Sequence, residues 1–150
     1  MIDGVTIKPL KRIADDRGCV MKMQEASDPE FKGFGEVYFS TIYPGVVKGW
    51  HMHPYTWLNY ACVSGMIKLV LWDGRENSPT AEEVMEIALG ERDYKLVQIP
   101  PGVWNGFACV GGEEAMVCDL TDRTHDDDVI ERLDPHDNPL IPYDWTRRDR

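Results

Sequence analysis

The sequence predicts an all-β fold, a barrel or double-sheet roll closed around one core. Short apolar and β-branched runs recur at close spacing, each bounded by Gly, Pro, Asp or Asn. Turn dipeptides stand between them: Pro44-Gly45, Ser64-Gly65, Asp73-Gly74, Pro101-Gly102 and Gly111-Gly112. Almost no stretch carries the helical period. Many short strands without helices close most easily as a barrel or a pair of packed sheets.

Val5 to Leu10 reads as a short first strand. Asp15-Asp16-Arg17-Gly18 is a turn, and Cys19 to Met23 is a second strand. Ser27 to Gly35 holds Pro29 and has room for one short helical turn. Then come Glu36–Tyr43, Val46–His53, Trp57–Val63 and Met66–Trp72, followed by Val84–Leu89, Tyr94–Ile99, Gly106–Val110 and Ala115–Leu120. The charge run His125 to Asp128 reads as a solvated loop. In the tail, Leu140 to Trp145 is apolar enough to dock, and Thr146 to Arg150 reads as frayed.

A chain of 150 residues suits one domain over residues 1–150, with a barrel core over about 5–121 and residues 122–150 packing on it. The hydrophobic share of 43% and charged share of 28% are those of an ordinary globular protein. A net charge of −10 argues against nucleic acid or an anionic membrane as partner. An anionic ligand would therefore need a locally basic pocket. No apolar run reaches membrane-spanning length. Cys19, Cys62, Cys109 and Cys118 form no CxxC pair, and the N-terminus lacks the pattern of a secretory leader. They read as reduced thiols of a cytoplasmic protein.

The stretch Tyr43–Gly65 concentrates the chemistry. His51 and His53 stand two apart on a strand, so both imidazoles face one way. Lys48 adds a cation nearby. On residue type alone the pair admits metal binding, acid–base chemistry or packing in a barrel wall. Trp50, Trp57 and Trp104 flank these residues and suit either stacking on a ligand or the core.

Several words in register add a family resemblance. Gly45, His51, His53 and Gly65 resemble the first cupin motif, with Leu58 in place of its Glu. Pro100-Pro101-Gly102-Val103-Trp104-Asn105 resembles the second, with Asn105 in place of its His. Asp16-Arg17-Gly18, Gly45 to His51, Asp73 to Thr80, and Ile99 to Phe107 are similar to dTDP-4-dehydrorhamnose 3,5-epimerases and their sugar-nucleotide relatives. The resemblance runs from about Asp16 to Thr121. It implies a cupin jelly-roll barrel and a homodimer with an exchanged N-terminal strand.

A cupin metal site would use His51, His53 and the residues at positions 58 and 105. Leu58 and Asn105 leave it two good ligands, short of the three an ion needs. The resemblance therefore implies metal-free and cofactor-free chemistry. His51 aligns with the family's general base, which takes a proton beside a 4-keto group. Imidazole suits that task because it titrates near working pH. Lys48 stands at the family's Arg position and would hold either the enolate oxygen, together with Asn105, or a phosphate as a point charge.

Other positions depart from the family. Cys118 falls where the family has its tyrosine acid, leaving Tyr60 or Tyr55 as substitutes, and Leu58 falls at the family's lysine. Asp134 or Asp137 would orient the base. Arg17 would reach ligand across the dimer. Arg75 also matches, though an Asp-Gly-Arg turn residue is commonly structural. Glu36 replaces a family Gln and Lys22 a family Glu, which implies a changed ligand head group. Glu36, His53, Trp57, Tyr60 and Trp104 complete the expected substrate contacts. The expected function is epimerisation of a nucleotide-linked 4-keto-6-deoxy sugar, at one carbon or two. The competing expectations are a non-catalytic sugar- or nucleotide-binding cupin and a metal-dependent cupin enzyme.

Overall fold

The computed structural model describes residues 1–149. Its strands are, in chain order, β1 (Thr6–Pro9), β2 (Arg12–Asp15), β3 (Gly18–Met21), β4 (Glu36–Ile42), β5 (Val47–Met52) and β6 (Leu58–Ser64). They continue with β7 (Met66–Asp73), β8 (Val84–Gly90), β9 (Lys95–Ile99), β10 (Val103–Cys109), β11 (Ala115–Thr121) and β12 (Glu131–Arg132). One sheet has the order β1-β9-β6-β11-β4 and the other β12-β5-β10-β7-β8, with β2 and β3 as a separate hairpin. All pairings are antiparallel.

Side chains that alternate inward from both sheets make the core. Leu58, Tyr60 and Cys62 of β6 meet Ile67, Leu69 and Leu71 of β7, with Ile87, Leu89, Val97 and Val117 around them. A second cluster lies on the outer face of the β5–β10–β7 region. There Trp50, Val70, Trp72 and Trp104 are covered by Ile141 and Trp145 of the tail. This two-sided burial explains why Met66 to Trp72 reads as a nearly unbroken apolar run. The tail segment Leu140–Trp145 docks through Ile141 and Trp145, 4% and 7% exposed.

The structure corrects the reading in four places. Ser27–Gly35 forms open turns without a helical element. β2 pairs with β3 although all its residues are exposed, so no hydrophobic period marks it. β10 starts at Val103, directly after the Pro101-Gly102 turn. β12 is two exposed residues recruited by β5, too short to leave a sequence signal. At the chain end, Thr146–Asp149 are exposed, and the expectation for Arg150 lies outside the described residues.

Asp73 shows how the turn after β7 is fixed. Its fully buried carboxylate accepts from Arg75 Nε (2.7 Å), Ser78 Oγ (2.6 Å) and Thr80 Oγ1 (2.7 Å). Burial opposes its ionisation, but these donors outweigh burial and hold the carboxyl well below its usual range. Arg75 also donates to the Asp3 carbonyl at 2.7 Å, so it ties this turn to the N-terminus.

Candidate active site

A cavity of about 490 Å³ opens between the two sheets. One wall is β5, which presents Lys48, His51 and His53. Strict alternation would put Lys48 on the face opposite to His51. The β5–β10 register shifts between Asn105 and Phe107, which pair with His51 and Lys48, and that irregularity brings all three side chains to the cavity. The strands approach closely there, because a Cβ on Gly49 would meet Gly106 Cα at 2.9 Å.

His53 is 7% exposed. Its Nδ1 lies 2.7 Å from Asp128 Oδ2, and Thr56 Oγ1 donates to Asp128 Oδ1 at 2.5 Å. An Nδ1–H donated to Asp128 leaves the Nε2 lone pair free. Burial pushes the His53 imidazole below its usual pKa; Asp128 opposes this without reversing it. His51 is half-buried and shifts the same way, through burial first and then the positive fields of Arg132, His53 and Lys48. Both rings are neutral at pH 7. Lys48 Nζ donates to Ser40 Oγ at 3.0 Å, linking β5 to β4 across one edge of the cavity.

The facing wall comes from β4 and β11. Glu36, Tyr38 and Ser40 alternate inward from one, and Val117, Asp119 and Thr121 from the other. Tyr38 donates its hydroxyl to Asp119 Oδ2 at 2.7 Å, and the Asn59 N–H donates to Asp119 Oδ1 at 3.1 Å. Asp119 is 1% exposed. Burial pushes its carboxyl up to about 7; the Tyr38 and Asn59 donors oppose that rise, while Asp128 and Glu36 add to it. The Tyr38 phenol is raised by burial and then by Asp119.

Comparison with known proteins gives the family of the chain. The sequence profile described as dTDP-4-dehydrorhamnose 3,5-epimerase matches residues 1–149. The chain belongs to the dTDP-4-dehydrorhamnose 3,5-epimerase family. It is 33% identical over 147 residues to a probable low-salt glycan biosynthesis epimerase, Agl13, of Haloferax volcanii, covering 96% of this chain and 94% of that protein. It is 32% identical over 146 residues to the spore coat polysaccharide biosynthesis protein SpsL of Bacillus subtilis, covering 97% of each. Among solved structures it is similar to a dTDP sugar isomerase from Desulfovibrio desulfuricans G20. There the TM-score is 0.93 at 39% identity, over 99% of this chain and 94% of that one. The barrel is thus the cupin-type roll of this epimerase family.

Of the residues singled out in the sequence, the cavity gathers Lys48, His51, His53, Glu36 and Tyr60. Tyr60 is 6% exposed and donates to Asn105 Oδ1 at 3.2 Å. The others lie elsewhere. Asn105 is fully buried on β10 beside β5, where its Nδ2 donates to the His51 carbonyl at 3.1 Å. Cys118 falls between inward-facing Val117 and Asp119 and so faces away from the cavity; burial, then Asp119, pushes its thiol up to about 11. Trp57 is half-buried under Lys32, whose Nζ is 4.5 Å from its ring. Trp104 belongs to the outer aromatic cluster. Arg17 sits exposed at the β2–β3 turn, paired with Asp15 at 2.6 Å. Asp134 is exposed and accepts the N–H groups of its own turn, His136 and Asp137, each at 2.8 Å.

The carboxylate beside a histidine is Asp128, in the charge run expected to be solvated. Nothing in that run distinguishes it from Asp126 or Asp127. Tyr38 and Asp119 carried a fainter signal: each is a polar residue at the inward phase of a strand. The cupin metal set does not fit this site. Leu58 is in the core cluster, and the Asn105 amide is engaged by Tyr60 and the His51 carbonyl.

Proposed function

We propose that this protein is an epimerase of a nucleotide-linked 4-keto-6-deoxy sugar that works by proton abstraction beside the ketone. The observation that carries the reading is the β5 wall, where neutral imidazoles stand beside fixed cations. His51 presents the more open ring and aligns with the family's base. His53, held by Asp128, positions that wall. Proton removal α to the ketone places negative charge on the ketone oxygen, and Lys48 lies where it can hold it. Arg132, paired with His51 in the β5–β12 ladder, adds positive charge for a diphosphate. Asn105 acts from the neighbouring strand, fixing the backbone at His51. The reaction needs neither metal nor organic cofactor.

Deuterium uptake from D₂O into dTDP-4-keto-6-deoxyglucose tests this reading. The wild type should label the carbon next to the ketone, and His51→Asn should not. No label with the wild type refutes it.

A binding module is the second reading, favoured by Cys118, which stands at the family's acid position but faces away from the cavity. That reading predicts that nucleotide sugars raise the melting temperature without label uptake. We also propose a homodimer in the cytoplasm. Ile13 and Val20 on the hairpin and Phe34, Val37 and Phe39 in and beside β4 are 47–66% exposed, an apolar surface suited to a second copy. The four free cysteines fit a reducing compartment.

A further inference from the structure

We infer that Tyr38 returns the proton to the sugar carbon, and that Asp119 recharges it, from the wall opposite the histidines. The inference rests on the epimerase reading above. Inversion requires a base on one face of the sugar and an acid on the other. His51 projects from β5 of one sheet, and Tyr38 and Asp119 from β4 and β11 of the other, with the cavity between them.

The remaining tyrosines near the site are worse placed. Tyr60 lines the cavity, but its hydroxyl is committed to Asn105, an amide that cannot resupply a proton. Tyr55 is 60% exposed and does not line the cavity. Tyr38 sits at the mouth, partly exposed, with a buried carboxyl 2.7 Å behind its oxygen.

His51 takes the α-proton and becomes an imidazolium, and the sugar becomes an enolate. The Tyr38 O–H bond breaks as a C–H bond forms on the opposite face. The neutral Asp119 carboxyl passes its proton to the Tyr38 oxygen and becomes a carboxylate. The imidazolium then loses a proton to solvent, and Asp119 regains one.

Asp119 must be protonated for this, and it is packed to be so near neutrality. Tyr38 and Glu36 face it from β4, Tyr60 and the Asn59 N–H from β6, and Asp128 from the C-terminal segment. Burial first, and then the two acidic neighbours, hold its proton on, and its carboxyl lies at about 7. Turnover should therefore fall as pH rises through about 7, because the donor is lost. It should also fall on the acid side, once His51 protonates below its ordinary pKa.

The test follows label and configuration together in D₂O with dTDP-4-keto-6-deoxyglucose. Tyr38→Phe should still exchange the α-hydrogen but lose inversion by roughly 100-fold or more, because only the histidine can return a proton, and on the original face. Asp119→Asn should lose the alkaline limb near pH 7 that the wild type shows. Inversion by Tyr38→Phe at the wild-type rate, or an unchanged alkaline limb in Asp119→Asn, overturns the inference and leaves the epimerase reading standing. A wild type that neither exchanges nor inverts overturns both.

Discussion

Replacing Asp119 with Asn should stabilise the protein at high pH and do little at low pH. The carboxyl is 1% exposed and titrates at about 7 in the folded chain, against 3.8 as its ordinary value. Below about pH 4 it is protonated whether the chain is folded or not, and it adds no penalty. As pH rises from 4 toward 7 the unfolded chain ionises first, so the folded state loses stability. Above 7 both forms are ionised and the penalty is constant. The interval corresponds to ~4 kcal/mol at most, taking about 1.4 kcal/mol per tenfold. Asn keeps the shape and an oxygen for the Asn59 N–H, and it cannot ionise. Urea unfolding of both proteins at pH 4.5 and pH 8 should show the variant's relative stability rising by ~2–4 kcal/mol. A difference independent of pH would refute the assignment of a neutral buried acid.

Asp128→Asn removes the anion that holds up the His53 pKa, so NMR titration should place that imidazole lower still, and turnover should fall about tenfold or more as the ring loses its anchor. An unmoved His53 titration would count against the pair. Gly49→Ala drives a methyl into Gly106 Cα at 2.9 Å, and it should destabilise the fold by ~1–3 kcal/mol in thermal or urea unfolding. An unchanged melting temperature would show that β5 can shift freely. Val20→Lys with Phe39→Lys should convert a dimeric mass in light scattering to a monomeric one; a monomeric wild type would end the dimer proposal.

Much of the fold was legible because its determinants are local. The alternation in β4 and β11 and the turn dipeptides after β4, β6 and β7 are readable one element at a time. What escaped depended on partners distant in sequence. β12 exists only because β5 offers an open edge, and β2 is visible only as the mate of β3. The same split holds at the site. His51, His53 and Lys48 share one strand and could be found together. Asp128 reaches His53 across 75 residues, and Tyr38 reaches Asp119 across 81. Counting back from Thr121 sets Cys118 at the family's acid position, but the pleat turns it away from the cavity and gives that place to its neighbour Asp119. Trp104 was drawn outward by the tail, whose docking residues cover the back of β10.

The C-terminal segment grips β5 and β10 from both sides. Asp128 and Arg132 complete the cavity on the inner face, while Trp145 packs on the back, 3.0 Å from where a Cβ of Gly106 would lie. During synthesis, both main sheets except β12 have their strands by Thr121, yet the histidine wall still lacks its carboxylate and its outer support. A nascent chain halted at that point lacks Asp128, Arg132 and Trp145 around β5 and β10. The cavity is therefore completed only by residues made after the barrel strands, and cutting the chain after Thr121 should remove the His53–Asp128 pair while most of the barrel survives.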